Sequence, residues 1–218
     1  MSVFYRIVVI LLILAAGYTL YGIGHFKWMY HRTHNPKAEF QITGNKEADL
    51  TLVEFTNYYC GYCKVLAPVY REIVQIRKDV RFITRPIKFS FPAAAETEEG
   101  QTEPFEDTYT AMVIAAGLQG KFWEMHEAVL EYPSIEIPDS FFEETATLYG
   151  IDYEKMIADS KSKEVKSIIK ENYSAFEYTG ISSVPAFMFN GQIFIITEQE
   201  QIDLKTILGM MTAAEKSR

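Results

Sequence analysis

The stretch Leu50-Thr51-Leu52-Val53-Glu54-Phe55-Thr56-Asn57-Tyr58-Tyr59-Cys60-Gly61-Tyr62-Cys63-Lys64 decides the fold. Its first half, Leu50 to Thr56, is dominated by β-branched and aromatic residues and reads as a strand. After Cys63, the residues Val65, Leu66, Val69, Ile73 and Ile76 recur at helical spacing. Pro68 falls inside that pattern, and because it lacks an amide hydrogen it is expected to kink the helix. A second strand fits Val80 to Ile87, which completes a βαβ unit with parallel strands and a right-handed crossover.

Outward from this unit the pattern turns helical. Helices are expected at Phe105 to Leu118, at Lys121 to Glu131, after a capping box from Ser140 to Glu143, and at Glu164 to Thr179 before Gly180. Ala186 to Phe189 and Gln192 to Ile196 then flank Asn190-Gly191, a strong hairpin signal. A closing helix is expected from Glu198, capped by Thr197 with Glu200 three residues on. The order βαβ, helical block, ββα shows no repeat, and reads as an α/β domain at 44–218, with a helical insertion at about 104–178. Between Lys88 and Lys121 there is no basic residue, and the acidic run at 91–107 reads as a solvated loop, with docking of a basic partner as the alternative.

The chain has only two cysteines, Cys60 and Cys63, so no disulfide framework is available and the fold must rest on a packed core. At the start of a helix, unpaired amide donors and a partial positive charge favour a thiolate at Cys60. Cys63, one turn on, faces inward and can close the ring, so Cys60 is the attacking or attacked sulfur and Cys63 the resolving one. A static disulfide in so short a ring would add little stability. Zinc would need about four ligands. Three of the four histidines lie near the amino terminus and only His126 remains, so no metal or other cofactor is expected. Glu54 sits among apolar residues six positions before Cys60. If it faces inward its pKa rises and it can carry a proton for Cys63; otherwise it meets solvent, Arg85 or Lys88. Val184-Pro185 precedes the hairpin, and an X-Pro bond there tolerates cis geometry.

Of the 218 residues, 48% are hydrophobic and 23% charged, an ordinary globular composition. Residues 1–37 carry Arg6, Lys27, Arg32 and Lys37 and no acid, while the net charge of the whole is −8. An acidic body argues against nucleic acid as a partner. From Ile7 to Gly24 no residue is charged, and Phe26, Trp28 and Tyr30 follow as interfacial side chains. Residues 1–26 therefore read as a transmembrane anchor, or else a cleaved signal segment, and 27–43 as a juxtamembrane linker. The basic residues after the span would put the body in the cytoplasm.

Three runs together resemble a known family: Gly44-Asn45 through Glu54 to Cys60-Gly61-Tyr62-Cys63-Lys64, then Gly120-Lys121-Phe122-Trp123-Glu124-Met125-His126, then Gly180-Ile181-Ser182-Ser183-Val184-Pro185-Ala186-Phe187. They look like the bacterial DsbA-like thiol:disulfide oxidoreductases. The resemblance implies a thioredoxin fold with a helical insertion, and a cis Pro185 packed near Cys60. It also implies a Val184 backbone, with Gly61 and Tyr62, available to an extended substrate strand, and Glu54 at the family's buried acidic position. It favours a monomer in a bacterial inner membrane, single-pass, with its body in the periplasm or cell envelope. Exported protein thiols or disulfides and a DsbB-like oxidant or DsbD-like reductant would be its partners. Gly61-Tyr62 lacks the histidine of the most oxidising members and looks more like the isomerases. The expected activity is a dithiol oxidase, with a reductase or isomerase as the alternative, and a thioredoxin-fold chaperone or adhesion module behind both.

Overall fold

A computed structural model of the chain describes residues 3–88 and 108–217. It opens with α1 (Val3–His34), long and apolar enough by length and composition to cross a bilayer. A short strand β1 (Ile42–Gly44) precedes β2 (Leu50–Thr56), α2 (Gly61–Ile76) and β3 (Val80–Pro86). The helices α3 (Thr108–Leu118), α4 (Phe122–Glu131), α5 (Asp139–Tyr149), α6 (Tyr153–Ser160) and α7 (Lys163–Thr179) come next, then β4 (Ala186–Phe189), β5 (Gln192–Ile195) and α8 (Leu204–Lys216). The strands form one mixed sheet in the order β1-β3-β2-β4-β5, with β2 and β3 parallel and the other pairs antiparallel.

Alternation along the strands divides the core. Leu52, Phe82, Phe187 and Phe189 meet Leu66, Tyr70 and Ile73 of α2 and Ile207 and Met211 of α8 on one face. Val53, Phe55, Ile83 and Met188 meet Ala175 and Phe176 of α7 on the other. The helical block has its own core, including Val113, Phe122, Met125, Phe142, Met156 and Ile168. Phe55 lies opposite Ala186 and Leu52 opposite Phe189, so the end of β2 that leads to Cys60 and the start of β4 share one end of the sheet. At the other end Asn190 and Gly191 both take positive φ, 51° and 80°, as a tight hairpin turn requires. Gly44 is held to glycine more strictly: its φ is +72° and an added Cβ would lie 2.8 Å from the Val80 carbonyl oxygen.

Several expectations are corrected. Residues 27–34 continue α1 instead of forming a linker, and β1 pairs with β3, Ile42 opposite Ile83, inside the rest of that segment. The box at Ser140 does not form: Pro138 holds the N-cap position and α5 begins at Asp139. Its fixed φ already suits a helix entry, which places the N-cap two residues early. The last helix begins later than Glu198. Glu198 and Gln201 close a capping box around a 3₁₀ turn, and Asp203 caps α8 by accepting from the Thr206 amide. The helix expected after Cys63 does form, as α2, with Pro68 inside it. The acidic run at 91–107 and the first residues of the helix expected from Phe105 lie outside the described residues.

The end of α1 is clamped to the body. Arg85 is fully buried, a costly state for a charge unless every donor is paired. Its guanidinium donates to Glu171 at 2.7 Å, Asn172 at 3.2 Å and the Thr33 carbonyl at 2.9 Å, and also to the Arg32 carbonyl. Arg81 donates to the His34 carbonyl. These carbonyls end the helix, have no intrahelical partner and carry the negative end of its dipole, so two cations complete it. Trp28 packs edge-on against Tyr178 of α7, and Tyr30 lies beside Gly191 at the hairpin tip. The helix end thus meets the body along β3, α7 and the hairpin tip.

Candidate active site

Cys60 is the N-cap residue of α2, reached from β2 through a turn that Asn57 fixes at both ends of its side chain. The Asn57 amide donates to the Ile87 carbonyl at 2.8 Å, and its oxygen accepts the Tyr59 amide at 2.9 Å. The Cys60 sulfur accepts the Cys63 amide at 3.3 Å, and its thiol donates to the Val184 carbonyl at 3.7 Å. The Val184–Pro185 peptide is cis. Gly61 and Tyr62 are exposed at the helix start, Cys60 is partly exposed, and Cys63 is completely buried. One end of the sheet therefore collects Cys60, Gly61, Tyr62, Cys63, Val184 and Pro185.

Electrostatics separates the two thiols. A hydrogen bond from the Cys63 thiol, helped by the Cys63 and Tyr62 amides and opposed by burial, brings Cys60 down to about 7. Burial pushes Cys63 up, and its neighbour Cys60 pushes it further. A thiolate at neutral pH thus belongs on the partly exposed sulfur, where an incoming disulfide can reach it. Lys64 does not add its charge to this pair. Its amine donates to the Val129 carbonyl at 2.7 Å and the Tyr132 carbonyl at 3.2 Å, closing the end of α4, and burial lowers it to about 8.

Glu54 lies behind the cysteines on the α2 face of the sheet, opposite Thr84, and is 1% exposed. Burial raises its carboxyl to about 7, against the pull of the Thr84 and Thr56 hydroxyls. Arg85, a candidate partner by sequence, projects from the other face and pairs with Glu171. Some supporting residues carry no local signature and escaped the sequence reading. Tyr58 shares a 2.8 Å hydrogen bond with Nδ1 of the buried His126 on α4, and Tyr59 stacks on Tyr109 of α3. Both join the cysteine turn to the helical block through contacts remote in sequence.

A family model for the DSBA-like thioredoxin domain matches residues 51–208, the segment that holds the whole of this arrangement. The chain belongs to that family. Among solved structures, alpha-DsbA2 of Wolbachia pipientis, a thiol-disulfide exchange protein, superimposes with a TM-score of 0.66 at 15% identity, over 87% of this chain and 94% of that one. The catalytic domain of Proteus mirabilis ScsC gives 0.65 at 17% identity, over 88% and 97%. These likenesses establish the fold. A curated relative, the Na(+)/H(+) antiporter NhaA 3 of Salinispora tropica, is 24% identical over 151 residues, or 69% of this chain but only 22% of its own length. In this DSBA-like chain, residues outside the matched segment include α1 and β1.

Proposed function

We propose that this DSBA-like protein is a thiol:disulfide oxidoreductase, a dithiol oxidase that passes a Cys60–Cys63 disulfide to exported proteins. The observation that carries the reading is the unequal pair: Cys60 partly exposed and brought down to about 7, Cys63 buried and raised behind it. A substrate thiolate attacks the Cys60 sulfur, the Cys60–Cys63 bond breaks, and Cys63 leaves as a thiolate that takes a proton from the neutral Glu54 carboxyl. A second substrate thiolate then attacks its own sulfur in the mixed disulfide and releases Cys60; the substrate is oxidised and the pair reduced. The Val184 backbone offers the substrate a strand partner beside the sulfur, with Gly61, Tyr62 and Pro185 around it. A DsbB-like membrane protein would restore the disulfide.

Helix α1 supports a single-pass inner-membrane anchor for a monomer whose body lies in the periplasm or cell envelope. One observation favours a second reading, a reductase or isomerase served by a DsbD-like donor. The groups that lower Cys60, the Cys63 thiol and the Cys63 and Tyr62 amides, are all neutral. Substitution tests the roles: Cys60→Ser should abolish exchange, whereas Cys63→Ser should accumulate mixed disulfides with envelope proteins that a reductant releases. No adducts with Cys63→Ser would overturn the assignment. Thiol alkylation of the protein in cells then separates the directions, an oxidised resting pair meaning oxidase and a reduced one reductase or isomerase.

A further inference from the structure

The sheet ends at β5, whose outer edge pairs with no strand among the described residues. Ile193 lies opposite Met188 and Ile195 opposite Ala186, so both project from the α7 face of the sheet. Each is 37% exposed. An edge strand with bare isoleucines is a liability unless something covers it. Helix α1 passes close by: Tyr30 lies beside Gly191 at the hairpin tip, and Trp28 packs edge-on against Tyr178 near the end of α7. Trp28 and Tyr178 keep exposed surface of their own. We propose that the bilayer surface is the cover: Ile193, Ile195 and Tyr178 rest in the lipid headgroup layer beside α1 and hold the body down on the membrane. The inference rests on α1 being a membrane anchor.

Heights along α1 favour lipid. Gly24 ends the uncharged run; Trp28 is four residues on and Tyr30 six, rises of about 6 Å and about 9 Å. The headgroup layer of one leaflet is about 5 to 8 Å deep, so Trp28 stands within it and Tyr30 at its outer edge. On the body these two contacts fall at opposite ends of β4. Gly191 follows its last residue, whereas Phe176, two residues before Tyr178, packs on Phe55 opposite Ala186. The hairpin is therefore carried across the helix axis, with both isoleucines near the level of the aromatic residues. Lys27, exposed, and Arg32, over the Trp28 ring at 5.3 Å, bring two cations to phosphate level. A second copy of the chain is the other candidate cover. Two isoleucines on a four-residue edge offer too little surface for the roughly 800 Å² per partner of a stable interface. At a membrane α1 supplies the affinity, and the patch has only to orient the body.

The test uses the full chain in phosphatidylcholine vesicles, with Cys60→Ser and Cys63→Ser removing the native thiols and a nitroxide attached at Ile193→Cys. Ile195→Cys repeats the measurement should the first variant fail to fold, and Leu148→Cys, at an exposed position of α5, is the control. Relaxation of the nitroxide by oxygen, which concentrates in lipid, is compared with relaxation by a water-soluble nickel chelate. The oxygen-to-nickel ratio at position 193 should exceed that at 148 several-fold. Equal ratios overturn the proposal. So does dipolar broadening at 193 that disappears on dilution with unlabelled protein, which would assign the edge to a second copy. Protein that alkaline carbonate strips from the vesicles would instead defeat the anchor reading, and the proposal with it.

Discussion

At the scale of single residues, the thiolate at Cys60 and the acid at Glu54 carry separate predictions. Cys60 is stabilised by a neutral thiol and two backbone amides, and its value of about 7 matches an ordinary thioredoxin cysteine more than DsbA's roughly 3.5. The expected reduction potential therefore lies well below DsbA's about −120 mV, toward thioredoxin's about −270 mV. Equilibration in glutathione buffers, read by fluorescence, measures it, and a value at or above that of DsbA would contradict the account of the thiolate. Glu54 acts on stability in the opposite sense to a paired acid. Its folded value of about 7 exceeds its ordinary 4.5, so between those pH values the folded protein holds a proton that the unfolded chain has lost. Stability then falls as pH rises from about 4.5 to 7, by an amount on the order of 3 kcal/mol for a shift of about 2.5 units. Glu54→Gln should remove that slope and raise the unfolding midpoint above pH 7 in urea titrations, a gain that wild-type behaviour at pH 5 should not show.

At the scale of elements, α7 holds together two parts of the fold. Its N-cap Ser162 accepts the Val165 amide, Glu171 and Asn172 hold Arg85, and Gly180 ends it before the loop to Pro185. Ser162→Ala should lower stability by about 1 kcal/mol. Arg85→Met should cost about 3 kcal/mol or more, because Glu171 and the last carbonyls of α1 lose their partner. The same change should expose the chain to trypsin after Lys27, Arg32 or Lys37, where the wild-type protein resists; equal resistance would show that the clamp is dispensable. How far such elements were legible depends on how local their causes are. Strands β2 and β3, the CGYC turn and the Asn190-Gly191 hairpin are written in adjacent residues, and each was readable. Strand β1 is only Ile42–Gly44, and it exists because β3 offers an edge some forty residues later. Helix α6 is short, and was missed despite Asp152 capping it at the Lys155 amide. At the site, the cysteines were readable from type and spacing. The Tyr58–His126 bond depends on how α4 packs against α2, which no short window of sequence encodes.

At the scale of the whole molecule, the anchor reading predicts that the protein sediments with membranes and keeps its first residues, and that added protease reaches the body from the envelope side. A soluble product beginning after Gly17 or Gly24 would refute it, and protection of the body in the cytoplasm would reverse the orientation. The docked end of α1 carries a further consequence if that helix is in the bilayer. A flexible linker lets a domain roam a hemisphere above its attachment point, with reach growing as the square root of linker length. Here the helix passes from the apolar stretch into the body without a joint, held by Arg81, Arg85 and the Trp28–Tyr178 contact. Cys60 follows directly on β2, the central strand of that same body. The molecule is then a mast and not a leash: its sulfur rides at one height above the lipid and travels only as the anchor drifts sideways. Client proteins would have to pass through that thin layer to be served, and the enzyme's search for them would be two-dimensional.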